Sequence, residues 1–174
     1  MTSLVLPLLR AFIGICTFQL TPQDLPHSNA LLAAAVIGNL TLSLVIYFLG
    51  SPFGYALLKA ILETAVLFAL TYLLLFLMSY GRRLVQTMTA LMGSGAVLSG
   101  VALVTMVLAP TLPGDVGMAL LRGISVLNLL VIAHVLRHAL GTWFLVGLLI
   151  AFGYDLLFSK FLRFADALLG VAPA

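Results

Sequence analysis

Apolar residues run along this chain in long blocks broken by brief polar punctuation. Five blocks lie near the length of about 20 residues that a helix needs to cross a hydrocarbon core: 29–49, 54–79, 85–109, 116–139 and 142–160. The punctuation is chemically specific. GSPFG at 50–54 offers Ser51 as an N-cap and Pro52 as a first-turn proline. YGRR at 80–83 brings two charges, PTLPGD at 110–115 breaks a helix at two prolines, and HALGT at 138–142 supplies Gly141 as a helix stop. None of these connections is long enough to hold a domain. The pattern predicts one all-α transmembrane domain over 1–174, a bundle of five spans.

Residues 3–20 differ. Ser3, Pro7, Arg10, Gly14 and Thr17 fall on a narrow arc at helical spacing, and the rest of the circumference is apolar. This predicts an N-terminal amphipathic helix lying in the membrane interface, joined to the first span by TPQDLPHS at 21–28. Its charge, Arg10, follows the start of the apolar stretch, the reverse of a secretory signal, so the segment is expected to be retained. Five spans place Arg10, Arg82, Arg83 and Arg137 on one side of the membrane. Asp115, Lys160 and Arg163 fall on the other. By the positive-inside rule the arginine side, with the N-terminus, is expected to be cytoplasmic and Ala174 to lie across the membrane. Tyr55, Tyr80 and Trp143 stand near span ends, where amphipathic rings favour the interface.

Composition sharpens this picture. The chain is 63% hydrophobic and 7% charged, against roughly a quarter charged in soluble domains, so lipid is its main solvent. The eight Lys and Arg are dispersed, which excludes a nucleic-acid footprint and leaves the lipid bilayer and other membrane proteins as expected partners. One cysteine, Cys16, forms neither an internal disulfide nor a cysteine cluster. The chain has no dinucleotide fingerprint, nucleophile–base motif or good metal-ligand spacing, so no cofactor and no enzymatic activity are expected. Asn39, in NLT, matches a glycosylation acceptor but lies inside a span. Asn39 and Asn128 are expected to bond between helices.

Ionisable residues inside a membrane are functional suspects. Lys59 and Glu63 on the second span, Arg122 on the fourth and Asp155 on the fifth fall at similar depth from the non-arginine side. They read either as an ion-pair cluster or as a proton or ion pathway. In the cluster reading Lys59 satisfies Glu63, and Arg122 meets Asp155. On the arginine side, VIAHVLRHAL at 131–140 places His134, Arg137 and His138 at the end of the fourth span. The spacing His-Val-Leu-Arg-His lacks the glutamate base of a zinc protease helix. The carboxylate expected on this side is Asp24, close to His27 in PQDLPH. An ion pair of Asp24 with Arg137 or His134 is predicted, within about 4 Å. On the third span Gly93, Gly95, Ser99 and Gly100 allow close helix approach, either within the chain or between copies.

The layout resembles the Yip family of membrane proteins: a cytoplasmic N-terminal part, five closely spaced spans and a C-terminus across the membrane. PQDLP, QTMTALMGSG and AHVLRHAL are similar to stretches of small bacterial inner-membrane proteins grouped with that family. The resemblance covers roughly residues 10–165. It implies a membrane-organising or partner-binding role without catalysis, so the expectation is a scaffold or accessory subunit of a larger inner-membrane complex. The alternatives are a small transporter or proton-conducting protein using Glu63, Arg122 and Asp155, and a lipid-directed enzyme with His134 and His138 as base.

Overall fold

A computed structural model of the chain describes residues 2–169, with side chains for 7–163. The side chain of Ser3 and the terminal Ala174 lie outside the described residues. The regular structure is helical: α1 Thr2–Cys16, α2 Asn29–Phe48, α3 Phe53–Leu77, α4 Leu84–Leu108, α5 Val116–Leu140 and α6 Phe144–Leu169. Single 3-10 turns occupy Pro22–Asp24, Gly81–Arg83 and Ala109–Thr111. The segments Asn29–Phe48, Phe53–Leu77, Gly81–Thr111, Val116–Leu140 and Phe144–Arg163 are long and apolar enough to cross a membrane. The chain is a multi-pass membrane protein with a short helix ahead of its five spans. The expected boundaries of the spans agree to about two residues except at the end of α6, which runs on to Leu169, and the N-terminal helix, expected over 3–20, ends at Cys16.

Local chemistry sets the ends. Ser28 caps α2 by accepting from the Leu31 amide at 3.3 Å. At α3 the expected cap is displaced by one residue: Pro52 occupies the cap position and Ser51 lies outside it. Three helices end in the same reversal, in which an amide two or three residues past the end bonds back to a carbonyl five residues earlier. These bonds are Gln19 to Gly14 (2.8 Å), Tyr80 to Leu75 (2.8 Å) and Thr142 to Arg137 (2.9 Å). The residue in the left-handed region is Phe18 (φ 62°), Ser79 (φ 61°) and Gly141 (φ 65°) respectively. Only glycine takes that conformation freely, and elsewhere it costs about 1–2 kcal/mol. At Phe18 the strain is partly offset, because the ring meets His134 edge-on at 5.2 Å.

The five spans close a ring in the order α4, α2, α3, α6, α5, with α4 also reaching across to α3. The small residues of α4 are used inside the chain. A Cβ on Gly95 would stand 2.7 Å from Asn39 Oδ1, one on Gly93 would collide with the Phe12 ring, and one on Gly100 would touch Leu42. Gly93 thereby seats α1 and Gly95 and Gly100 seat α2. Gly147 plays the same part between α5 and α6, where a Cβ would run into the Ala133 carbonyl. The last turn of α1 buries Ile15 and Cys16, and the Cys16 thiol donates to the Ser94 carbonyl at 3.7 Å. That contact lies about 15 Å along α4 from its start. Leu9 and Ile13 stay exposed beside Arg10.

Candidate functional site

Inside the ring is a cavity of about 170 Å³ to which all five spans contribute polar groups. Asn39 comes from α2, Glu63 and Thr64 from α3, Ser99 from α4, Ser125 and Asn128 from α5, and Tyr154 from α6. Asn39, Glu63, Asn128 and Tyr154 each stand about ten to twelve residues into their helices, roughly 15–18 Å from an end. The cavity is therefore at mid-depth. Leu67, Leu91, Leu98, Ile124 and Ile132 complete its wall. Removing polar groups from water without partners is costly, so this concentration at the middle of an apolar bundle is a deliberate use of sequence.

Glu63 is the carboxylate of the cavity. The Tyr47 hydroxyl donates to its Oε2 at 3.1 Å, and the Tyr154 hydroxyl reaches its backbone carbonyl at 3.5 Å. The expected Lys59–Glu63 pair does not form. The Lys59 ammonium lies over the rings of Tyr55 and Tyr47, 4.5 and 5.9 Å from their centroids. Among the described residues no Asp or Glu oxygen comes within 4.0 Å of a Lys or Arg nitrogen. Glu63 thus faces the cavity with a phenol as partner and no cation.

The expected Arg122–Asp155 pair is also absent, and both side chains are exposed on the outer surface of the bundle. The equal depth assumed for them fails because α6 continues to Leu169. Asp155 is therefore near the middle of its helix, whereas Arg122 is within two turns of the start of α5. Packing adds to the mismatch. Gly147 lies against Ala133 and Arg137, and following that antiparallel register carries Arg122 toward Lys160 rather than Asp155.

At the arginine end, the linker does dock on α4 and α5, but through the carbonyls of Leu20 and Leu25 and the Gln23 side chain rather than through Asp24. His134 is 2% exposed, and its Nε2 is 3.0 Å from the Leu20 carbonyl oxygen. Gln86 donates to the Leu25 carbonyl at 2.8 Å, and Gln23 donates to the His138 carbonyl at 3.3 Å. The predicted Asp24–Arg137 or Asp24–His134 ion pair is replaced by a local cap. Asp24 Oδ2 accepts from the Thr21 amide at 2.7 Å and from the Thr21 hydroxyl at 2.9 Å. Fixing a partner three residues away orders far less chain than reaching another helix, so the local solution wins. Those bonds, the amide's first, hold the Asp24 carboxyl below the ordinary carboxylate range. His27 is exposed on the same linker. His134 and His138 lie ring against ring at 4.7 Å. Among the described residues no three His, Cys, Asp or Glu side chains converge as a metal site would require.

Of the residues singled out from sequence, the structure gathers Glu63, Gly95 and Ser99 in the cavity. It gathers His134, Arg137 and His138 at the arginine end, and leaves Arg122 and Asp155 apart. Tyr47 and Tyr154 escape sequence reasoning, although Asn39, Ser99 and Asn128 at equal depth already marked the level of the cavity. Comparison of the chain with protein families, with curated proteins and with solved structures finds no match.

Proposed function

We propose that this protein conducts or exchanges protons, or a small cation, through the Glu63 cavity of a bacterial inner membrane. The observation that carries the reading is a mid-depth carboxylate with no cationic partner, facing a polar cavity shared by five helices. Intramembrane carboxylates of this kind mark ion and proton pathways. Volume narrows the cargo. At about 30 Å³ per water in the liquid, 170 Å³ holds about five waters. That is room for a hydrated proton or a small cation. The Tyr47 hydroxyl can donate to the ionised carboxylate, and a proton arriving at Glu63 reverses the bond. The proposed orientation keeps the N-terminus and the Arg82–Arg83 turn cytoplasmic, in line with the arginines gathered at that end.

The test is reconstitution in liposomes holding a pH-sensitive dye, with a potassium diffusion potential as driving force. Wild type is expected to acidify or alkalinise the lumen faster than protein-free vesicles, and Glu63→Gln to lose that excess while melting normally. Full activity in Glu63→Gln, or no excess flux in wild type with either potassium or sodium as counter-ion, refutes the reading. The second reading, an accessory subunit of a membrane complex, is favoured by the Yip-like spacing of five spans with short connections. A stoichiometric membrane-protein partner retained in mild detergent would support it.

A further inference from the structure

A second pocket opens at the arginine end, between the linker, the start of α4, and the α5–α6 turn. It measures about 690 Å³ and is lined by Gln23, Arg83, Arg137, His138, Thr142 and Trp143 among others. Two of these residues are permanent cations. The acceptors that could consume them are already engaged. Arg83 Nη1 donates to the carbonyls of Ala139 (2.9 Å) and His138 (3.5 Å), so the negative end of α5 is covered. The Arg137 carbonyl takes the Thr142 amide. Asp24, the carboxylate whose field reaches His138, is bonded to Thr21.

What remains is donor capacity without an acceptor. Arg137 Nε and Thr142 Oγ1 are buried and have no hydrogen-bond partner, though both residues line the pocket. The Arg137 guanidinium is steadied by the Phe144 ring, 5.6 Å from its centroid. An arginine stacked on an aromatic ring and free of carboxylates suits bidentate recognition of a phosphate oxyanion. Location bears on the source of that phosphate. The pocket stands at a span end, and its rim carries Trp143, 84% exposed, with Leu145 exposed beyond it. Basic pockets between span ends receive anionic lipid headgroups, and an exposed tryptophan anchors at headgroup level.

We infer that this pocket is an anion site for a phosphate group, supplied by a lipid headgroup or by free phosphate, with Arg137 as its principal donor and Arg83, His138 and Thr142 beside it. The site is separate from the Glu63 cavity and does not depend on ion conduction.

Trp143 is the chain's single tryptophan, so its fluorescence reports on the pocket directly. The purified protein in maltoside micelles is titrated with phosphatidylglycerol, with diacylglycerol of the same acyl chains, and with inorganic phosphate. Phosphatidylglycerol is expected to change Trp143 emission saturably and diacylglycerol to leave it unchanged. Arg137→Gln is expected to weaken the response about tenfold, and added salt to weaken it further. Inorganic phosphate that reproduces or competes with the response at millimolar level identifies free phosphate as a source. Phosphate without effect identifies the lipid. His138→Gln and Thr142→Ala, expected to weaken the response less, stand in if Arg137→Gln does not fold. Equal responses to phosphatidylglycerol and diacylglycerol, or a curve that none of the folded variants shifts, overturns the site.

Discussion

Two glycines on α6 should respond in opposite directions to the same added methyl group. Gly147 packs on α5 so closely that a Cβ collides with the Ala133 carbonyl, and it would also stand 3.2 Å from Arg137 Cβ and from the Arg137 amide nitrogen. Two of those three contacts are backbone, so no side-chain rotation relieves them, and α6 must move off α5. Gly153, on the same helix, has nothing within 4 Å of an added Cβ. Alanine in place of glycine in a helix interior gains about 1 kcal/mol from backbone entropy and propensity. At Gly153 that gain stands alone. At Gly147 it is set against overpacking of about 1–3 kcal/mol, plus lost contact along the α5–α6 seam. The two variants should therefore differ by roughly 2–3 kcal/mol. For a chain of this size about 2–4 °C of melting temperature corresponds to 1 kcal/mol. Gly153→Ala should melt a few degrees above wild type and Gly147→Ala below it, a separation of about 5–10 °C. Helical circular dichroism followed on heating in one mild detergent measures both. Equal shifts of the same sign would refute the close approach of α5 and α6 at Gly147.

The Asp24 cap should depend on pH. Its carboxyl is held below its ordinary value in the folded chain, so its contribution is present above the unfolded value near 3.9 and is lost as pH falls through the lower folded value. The melting gap between wild type and Asp24→Asn should be open at neutral pH and narrow progressively as the pH is taken below about 3.9, and a gap that does not narrow on acidification would sink the assignment. Arg122→Ala and Asp155→Ala should be additive within about 0.5 kcal/mol, because the two side chains share no ion pair. A coupling well above that, measured in the double variant, would restore the pair.

The spans are legible in the sequence because lipid imposes a length of apolar chain that few other environments require, and Pro52, Pro110, Pro113 and Gly141 mark its interruptions. The level of the cavity is legible for a related reason, since Asn39, Glu63, Ser99 and Asn128 are costly at mid-span. Rotation about each helix axis is not legible. In helices apolar on nearly every face, hydrophobic periodicity does not say which side points inward. Depth and the short connection between the last two spans therefore joined Arg122 to Asp155, and the extra length of α6 defeated the depth. Lys59 turned to Tyr55 and Tyr47 because aromatic faces accept a cation inside a bundle without a second buried charge. The Asp24 cap was within reach, as Thr-Pro-Gln-Asp carries the Ser/Thr-x-x-Asp/Glu signature of a capping box.

The bond between His134 and the Leu20 carbonyl joins residues 114 positions apart. At the usual pace of synthesis, some 5–20 residues per second, about ten seconds pass between the emergence of Leu20 and that of its partner. Gln86, which holds Leu25, is 61 positions away and arrives about halfway through that interval. During the wait Ile15 and Cys16 lack part of their seat, and the strained backbone at Phe18 has no imidazole to rest on. A ribosome stalled before α5 would therefore hold a nascent chain whose leading segment rests on α4 alone, without the His134 bond to Leu20. In this protein the first helix to be made is among the last to be secured.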